Sequence, residues 1–339
     1  MPKYFECDVE LSGNTGIAIP RKSVSFLGGF TAKTLAMHGG ELRFGGTATV
    51  QNLALNARYN SLQRLSTLTV MPGGSFTASA INSTVGTNAY FHILGGGTMT
   101  LNGTKFEYVN APTLTNIVDG TLKINAPYSI DTDQCFVGTG RVDVASTYSG
   151  GAVAHQEICG GVRLNLGADF RTVTSANAAG AVAIAVPDFR DATLGLVADA
   201  TYGPADGVTP STTAAERALK IGYKAKLTID TSDPDSGAAH TLTLKDPVTG
   251  GGDLTITGGG KVVLVATGNR VGKFTLAGGT LSVAGLEEDV WTDVLVAESV
   301  AGLGEHSDVR IRFKTVENGD GTVTLSAMRV CSGFTLIVY

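Results

Sequence analysis

A five-residue unit, glycine followed by alternating outward and apolar inward positions (G-x-apolar-x-apolar), recurs along this chain at nearly constant spacing. Clean copies run from Gly40 to Phe44, Gly74 to Ala78, Gly97 to Leu101, Gly120 to Ile124, Gly140 to Val144, Gly252 to Ile256 and Gly279 to Val283. Two looser variants begin at Gly161 and Gly260. The glycines at 74, 97, 120, 140 and 161 stand 23, 23, 20 and 21 residues apart. Each unit carries the two-residue period of a half-buried strand, and its glycine marks a turn that needs positive φ or a tight corner. Antiparallel sandwiches place a turn every 8 to 12 residues. A period near twenty instead matches one full circuit of a solenoid, in which every strand returns above its predecessor. The expectation is an all-β parallel β-helix. Phe76, Met99, Leu122 and Val142 then form one inward ladder, and Ala78, Leu101, Ile124 and Val144 the next. At ~4.8 Å per circuit, ten to thirteen circuits predict a rod on the order of 50 to 60 Å long.

Composition agrees with that reading and removes several others. The 339 residues include 45 glycines, while charged residues are 16% against an ordinary ~25%. With 43% hydrophobic residues and a formal net charge of -5, the chain has enough apolar surface to fold. Glycine does not recur every third position and there are only 10 prolines, which excludes collagen. No run of ~20 apolar residues predicts a membrane span, and no basic tract predicts a nucleic-acid partner. An aromatic content of 7% suits a narrow core of small aliphatic side chains. Met1 to Cys7 lacks the charged start and apolar core of a secretory signal, so the chain is either intracellular or a piece of a longer precursor.

The rhythm breaks twice. Residues 167–218 lose the glycine spacing and read as an excursion from the rod, either a loop along one face or a ligand-binding lid. Within it, Thr213 to Glu216 has the spacing of a capping box, which predicts one or two helical turns. Residues 286–339 read as a C-terminal cap, distinct from the helix of residues 1–285. In it Val309–Val316 and Thr322–Met328 flank the turn signal Asn318-Gly319-Asp320-Gly321, and the lone Trp291 is expected as a core plug. Cys7, Cys135, Cys159 and Cys331 show no metal spacing or disulfide framework. Cys135 and Cys159 lie about one repeat apart, so they are expected on adjacent turns as buried free thiols, or paired in an oxidising compartment.

Residues 226–285 carry a more specific pattern: Leu227 to Thr231, Gly237 to Leu244, Gly258 to Leu264, Gly268-Asn269-Arg270 and Phe274 to Val283. This stretch resembles the passenger-associated transport repeat of bacterial autotransporter-like surface proteins, with its glycine-rich strands, Asn-centred loop and terminal G-G-T-L-x-V. The resemblance implies a single-stranded, right-handed β-helix, about a circuit and a half over these residues, and a secreted or cell-surface parent protein. Lys261 and Val263 stand where that family commonly has small polar residues.

Other parallel β-helices degrade polysaccharides, and such enzymes need acids clustered on adjacent turns. Asp131, Asp133 and Asp143 are the candidates, but Asp143 lies outward beside Arg141 and Lys123, where a cross-strand ion pair is the plainer reading. The pectin-degrading motifs Asn-Thr-Asp, Asp-Asp and Gly-His-Gly are absent. His38, His92, His155, His240 and His306 lack metal spacing, and His92 reads as a satisfied, semi-buried side chain. No cofactor or metal site is expected. What remains is an outward face on which Thr98, Thr100, Thr121, Lys123, Arg141 and Asp143 stack, its charges interrupting the flat threonine array of ice-binding solenoids. The resulting expectation is a non-enzymatic, extracellular or cell-surface rod. Its partners would be glycans or surface proteins along that face, or further copies at its ends; a carbohydrate-active enzyme is the alternative.

Overall fold

The computed structural model describes residues 3–17, 23–37, 40–55, 58–59, 62–63, 66–82, 89–103, 106–108, 114–130, 134–150, 154–173, 185–210, 212–306 and 308–330. Parallel strands stack into three long sheets around one continuous core: fifteen strands in sheet I, thirteen in sheet II and eight in sheet III. The chain is a parallel β-helix. Thirteen stacked strands at ~4.8 Å make a rod close to 60 Å long.

The ladders predicted from the repeat exist in register. Phe76, Met99, Leu122 and Val142 align, as do Ala78, Leu101, Ile124 and Val144. The first ladder runs on through Leu164, Leu194, Ile229, Ile256 and Leu276. Every one of these side chains is buried, because strand alternation sends them all to the same side. The core also takes aromatic stacks. Phe26, Phe44 and Phe76 follow one another at centroid distances of 5.5 and 5.1 Å, and Tyr148, Phe170 and Tyr202 at 4.5 and 5.1 Å. The rest of the core is mainly aliphatic, as expected, and the few aromatic residues are added to it as short stacks in which ring lies over ring at the interstrand spacing.

Corner glycines serve two purposes. Gly96 has φ +79°, the left-handed conformation that glycine adopts without strain. Its neighbour Gly97 and the next corner glycine, Gly120, have no such φ. A Cβ on Gly120 would instead stand 2.3 Å from the carbonyl oxygen of Gly97 on the circuit before. The repeat therefore reports how closely one corner's backbone approaches the next.

Residues 167–218 leave the coil less than their glycine spacing predicts. Phe170–Val173, Ala185–Arg190, Ala192–Leu196 and Ala200–Pro204 all pair in parallel with neighbouring circuits. Within the described residues, 205–218 form the loop. Its capping box is present: the Glu216 carboxylate accepts from the Thr213 amide and hydroxyl (2.7 and 2.8 Å), and the Thr213 hydroxyl accepts from the Glu216 amide at 3.3 Å. This closes one turn and aims Arg217 inward. Buried Arg217 meets buried Asp246 at 2.8 Å; Asp246 also accepts from Thr172 at 2.7 Å, and the Arg217 carbonyl accepts from the Tyr202 hydroxyl at 2.9 Å. The buried pair pins the loop to sheet III.

Parallel pairing continues to Ser299–Ala301. The end of sheet I is then an antiparallel hairpin, Ile311–Glu317 and Val323–Arg329, laid on Thr292–Ala297. Arg312, Lys314 and Glu317 on its outer strand blunt that edge against further pairing. Trp291 is not a core plug: it is 38% exposed, with the Lys314 ammonium 4.3 Å from its ring centroid. The apolar run Phe334–Tyr339 and Cys331 lie outside the described residues. The stretch that resembles the transport repeat, 226–285, contributes eight strands from Lys226–Asp230 to Thr280–Val283, more than the circuit and a half that the resemblance implies.

Two stability measurements check this account. Gly120→Ala is expected to cost about 1–3 kcal/mol by overpacking, whereas Gly95→Ala, whose new Cβ meets nothing nearer than 4.0 Å, should stay within about 0.5 kcal/mol in chemical denaturation. Asp246→Ala, which leaves Arg217 buried without its partner, should cost about 3–5 kcal/mol.

Candidate functional site

Register carries the outward side chains as strictly as the inward ones. Thr98, Thr121 and Arg141 form one outward column of sheet II, and Thr100, Lys123 and Asp143 form the next. All six residues singled out from the sequence thus share one face. Thr98, Thr121 and Arg141 line a shallow groove of about 370 Å³, floored by the corner glycines 96, 97, 120 and 140 and walled by Asp119, Thr139 and Arg163. Asp119 accepts from the Thr139 amide at 3.0 Å, which fixes that wall.

Arg141 is the pivot of the face. Its Nε donates to both Asp143 oxygens at 2.7 and 2.8 Å, and its two Nη atoms donate to the Asp235 carboxylate at 2.7 and 2.6 Å. Asp143 also accepts from the Asn165 amide at 2.7 Å. Asp235 belongs to the loop 231–240, whose base is closed by a bridge between Ser232 and Ala239 and whose tip is held by the Asp233 carboxylate accepting from the amides of Asp235 and Ser236. The loop folds back over sheet II and grips Arg141 three circuits upstream.

Arg163 makes a second clasp. Its Nη1 donates to Asp230 at 2.7 Å and its Nη2 to the Ser232 carbonyl at 3.1 Å. Asn165, Gly195 and Asp230 stand in one column, so Arg163 must pass over position 195. A Cβ there would lie 2.6 Å from Nη2 and 2.1 Å from Asn165 Oδ1. Glycine is what lets the guanidinium through. Arg163, Asn165, Gly195, Asp230 and Asp235 were not found from the sequence, because circuits of 30 and 35 residues (Leu164 to Leu194, Leu194 to Ile229) separate them.

Of the acids considered for catalysis, Asp131 and Asp133 lie outside the described residues, and Asp143 is committed to Arg141 and Asn165. His92 is half-buried, and burial holds its imidazole below the usual pKa. His38 and the side chains of His155 and His306 lie outside the described residues.

A second cluster occupies the outward face of sheet I. Cys135 stands in register with Glu157, and Cys159 with Val137 and Arg190. The two thiols are free, and burial pushes Cys135 up to about 12 and raises Cys159 as well. Their sulfurs and a Glu157 carboxylate oxygen all lie within 4.8 Å of one another. Arg190 donates to Glu157 at 3.1 Å and to Asp188 at 2.9 Å.

No family model matches the chain, and neither does a curated protein or a solved structure. The likeness to autotransporter passengers accordingly extends to the parallel β-helix itself. Among the described residues, no helix is long and apolar enough to cross a membrane.

The Arg141 clasp predicts an acid response. The hydrogen bonds from Arg141 hold the Asp235 carboxyl below its ordinary value of 3.8. A depressed folded-state pKa contributes stability that is present above 3.8 and lost as pH falls through the lower, folded value. Protease cleavage within 231–240 should therefore rise as pH drops below about 3.8, and Asp235→Asn should show that susceptibility at neutral pH, with little further change on acidification.

Proposed function

We propose that this protein is a non-enzymatic, secreted or cell-surface rod of the autotransporter-passenger kind that presents the sheet II face as a contact surface for glycans. The observation that carries this reading is the groove at the corner of sheet II. Its walls are hydroxyls (Thr98, Thr121, Thr139), a carboxylate (Asp119), guanidinium groups (Arg141, Arg163) and exposed glycine backbone, a lining matched to a polyhydroxylated ligand that exchanges water for many small hydrogen bonds. The groove is a corner repeated from circuit to circuit, so an extended chain of sugars finds similar contacts at each ~4.8 Å step. Two further features support a binding role over a catalytic one. The carboxylates at and beside the groove, Asp119, Asp143, Asp230 and Asp235, are engaged by guanidinium, amide or hydroxyl donors, and the 231–240 loop is fastened across the face rather than hinged. The rod supplies the mechanics: contacts lie mainly between adjacent circuits, so length is gained without loss of stiffness.

The test is a glycan array probed with the full chain, followed by titration of the strongest hits. A Thr98→Val/Thr121→Val double variant removes both hydroxyls while keeping shape and strand preference. It should lose at least about tenfold in affinity, roughly 1.4 kcal/mol, with an unchanged melting temperature. Equal binding by that variant would overturn the assignment of the face. Cleavage of any polysaccharide that is lost in Asp143→Asn would replace it with the enzymatic reading.

A further inference from the structure

We propose that Cys135, Cys159 and Glu157 form a binding site for a soft divalent cation of the zinc class, with Arg190 orienting the carboxylate. The two cysteines were expected on adjacent turns, and they are, but diagonally: Cys135 faces Glu157, and Cys159 faces Val137. A two-residue offset between neighbouring strands puts their Cα atoms about 8 Å apart, beyond the 4.4–6.8 Å that a disulfide spans. The side chains nevertheless lean together, so that both sulfurs and a Glu157 oxygen fall within 4.8 Å of one another. Three atoms at that limit leave a central point about 2.8 Å from each, half an ångström from a zinc–thiolate bond of about 2.3 Å. The triangle is the right size for a shared cation and the backbone is the wrong distance for a covalent bridge.

Charge favours the same occupant. Binding exchanges two thiol protons for one dication, so two S–H bonds break, two metal–sulfur bonds form, two protons leave for solvent, and the net charge of this half-buried patch does not change. Glu157 supplies the third ligand, and the Arg190 contact at 3.1 Å fixes its orientation as outer partners of metal ligands do. Asp188 gives an independent sign. It stands in register with Glu157 and shares Arg190 through Oδ2, while its Oδ1, shut from solvent, has no hydrogen-bond partner among the described residues. Lys220 stands next to Asp188 in the same column, and neither it nor Arg190 is bonded to Oδ1. Two sulfurs and one carboxylate leave one tetrahedral position for water, and thiolate donors select zinc, cadmium or copper(I) over calcium or magnesium.

The experiment uses the full chain, reduced and metal-free, titrated with cadmium chloride and then with zinc chloride in competition. A thiolate-to-cadmium charge-transfer absorption is expected, saturating at one cation per chain and displaced by zinc. Cys135→Ser and Cys159→Ser should each abolish it, the Cys7→Ser/Cys331→Ser double variant should keep it, and Glu157→Gln should weaken binding about 10- to 100-fold. Cadmium should also raise the melting temperature of the wild-type chain and leave that of Cys135→Ser unmoved, a readout that separates ligand loss from misfolding. Absorption that persists in Cys135→Ser, a titration with no saturation at one equivalent, or an intact mass showing the two thiols oxidised to a disulfide would each overturn the site.

Discussion

Everything in this molecule depends on strands of successive circuits meeting in fixed register at ~4.8 Å. A slip of one residue would turn Phe76, Met99, Leu122 and Val142 to solvent and bring Thr77, Thr100, Lys123 and Asp143 into the core. Nothing local forbids such a slip, since each strand contributes only about four paired residues. What forbids it is the stack: each inward side chain touches equivalents above and below, and the corner glycines admit the neighbouring backbone at one height only. Register is a collective property, held by many small burial terms that agree.

The outward face inherits this order. Because position 141 must lie above 121 and below 163, a polar residue placed once per circuit becomes a column, and columns bring together residues that are remote in the chain. Both clusters described above arise this way. Arg141 and Asp235, 94 residues apart, meet because the coil and the returning loop leave them no alternative position. Cys135, Glu157 and Cys159 meet because one circuit in sheet I takes 22 residues, from Gln134 to Gln156. On a solenoid, chemistry is written by circuit length as much as by residue type.

That dependence explains what the sequence reveals and what it hides. Where circuits are short and begin with glycine, from Gly74 to Gly161, the ladders and the six outward residues can be read directly from the spacing. The capping box at Thr213 and the turn at Asn318 are equally legible, because their signals are local. The clasp of Arg163 on Asp230 is not, because the corners between them lengthen without any mark of where the strand resumes. The cysteines show the intermediate case: a spacing of 24 correctly places them on adjacent turns, but only the true circuit of 22 shows them to be diagonal. Trp291 misleads for another reason, since a large apolar ring can also be held at the surface with a lysine over its face.

Long corners are cheap, and this fixes where such a fold can acquire function. Extending a circuit from 20 to 35 residues adds roughly 0.5 kcal/mol of closure entropy, less than the burial of a single methylene at ~0.8 kcal/mol. Any inserted loop that finds one good contact on the existing surface can be retained without disturbing the ladders. Residues 205–218 and 231–240 fit that description: one is pinned by a buried Arg217–Asp246 pair, the other by Asp235 on Arg141, and the strands on either side keep their register. The core therefore places little constraint on what the loops carry. Their freedom ends at the groove, where Arg141 serves both as wall of the surface and as anchor of the loop. Any ligand that engaged this guanidinium would have to accommodate Asp235, because the same group holds the loop that lies across sheet II.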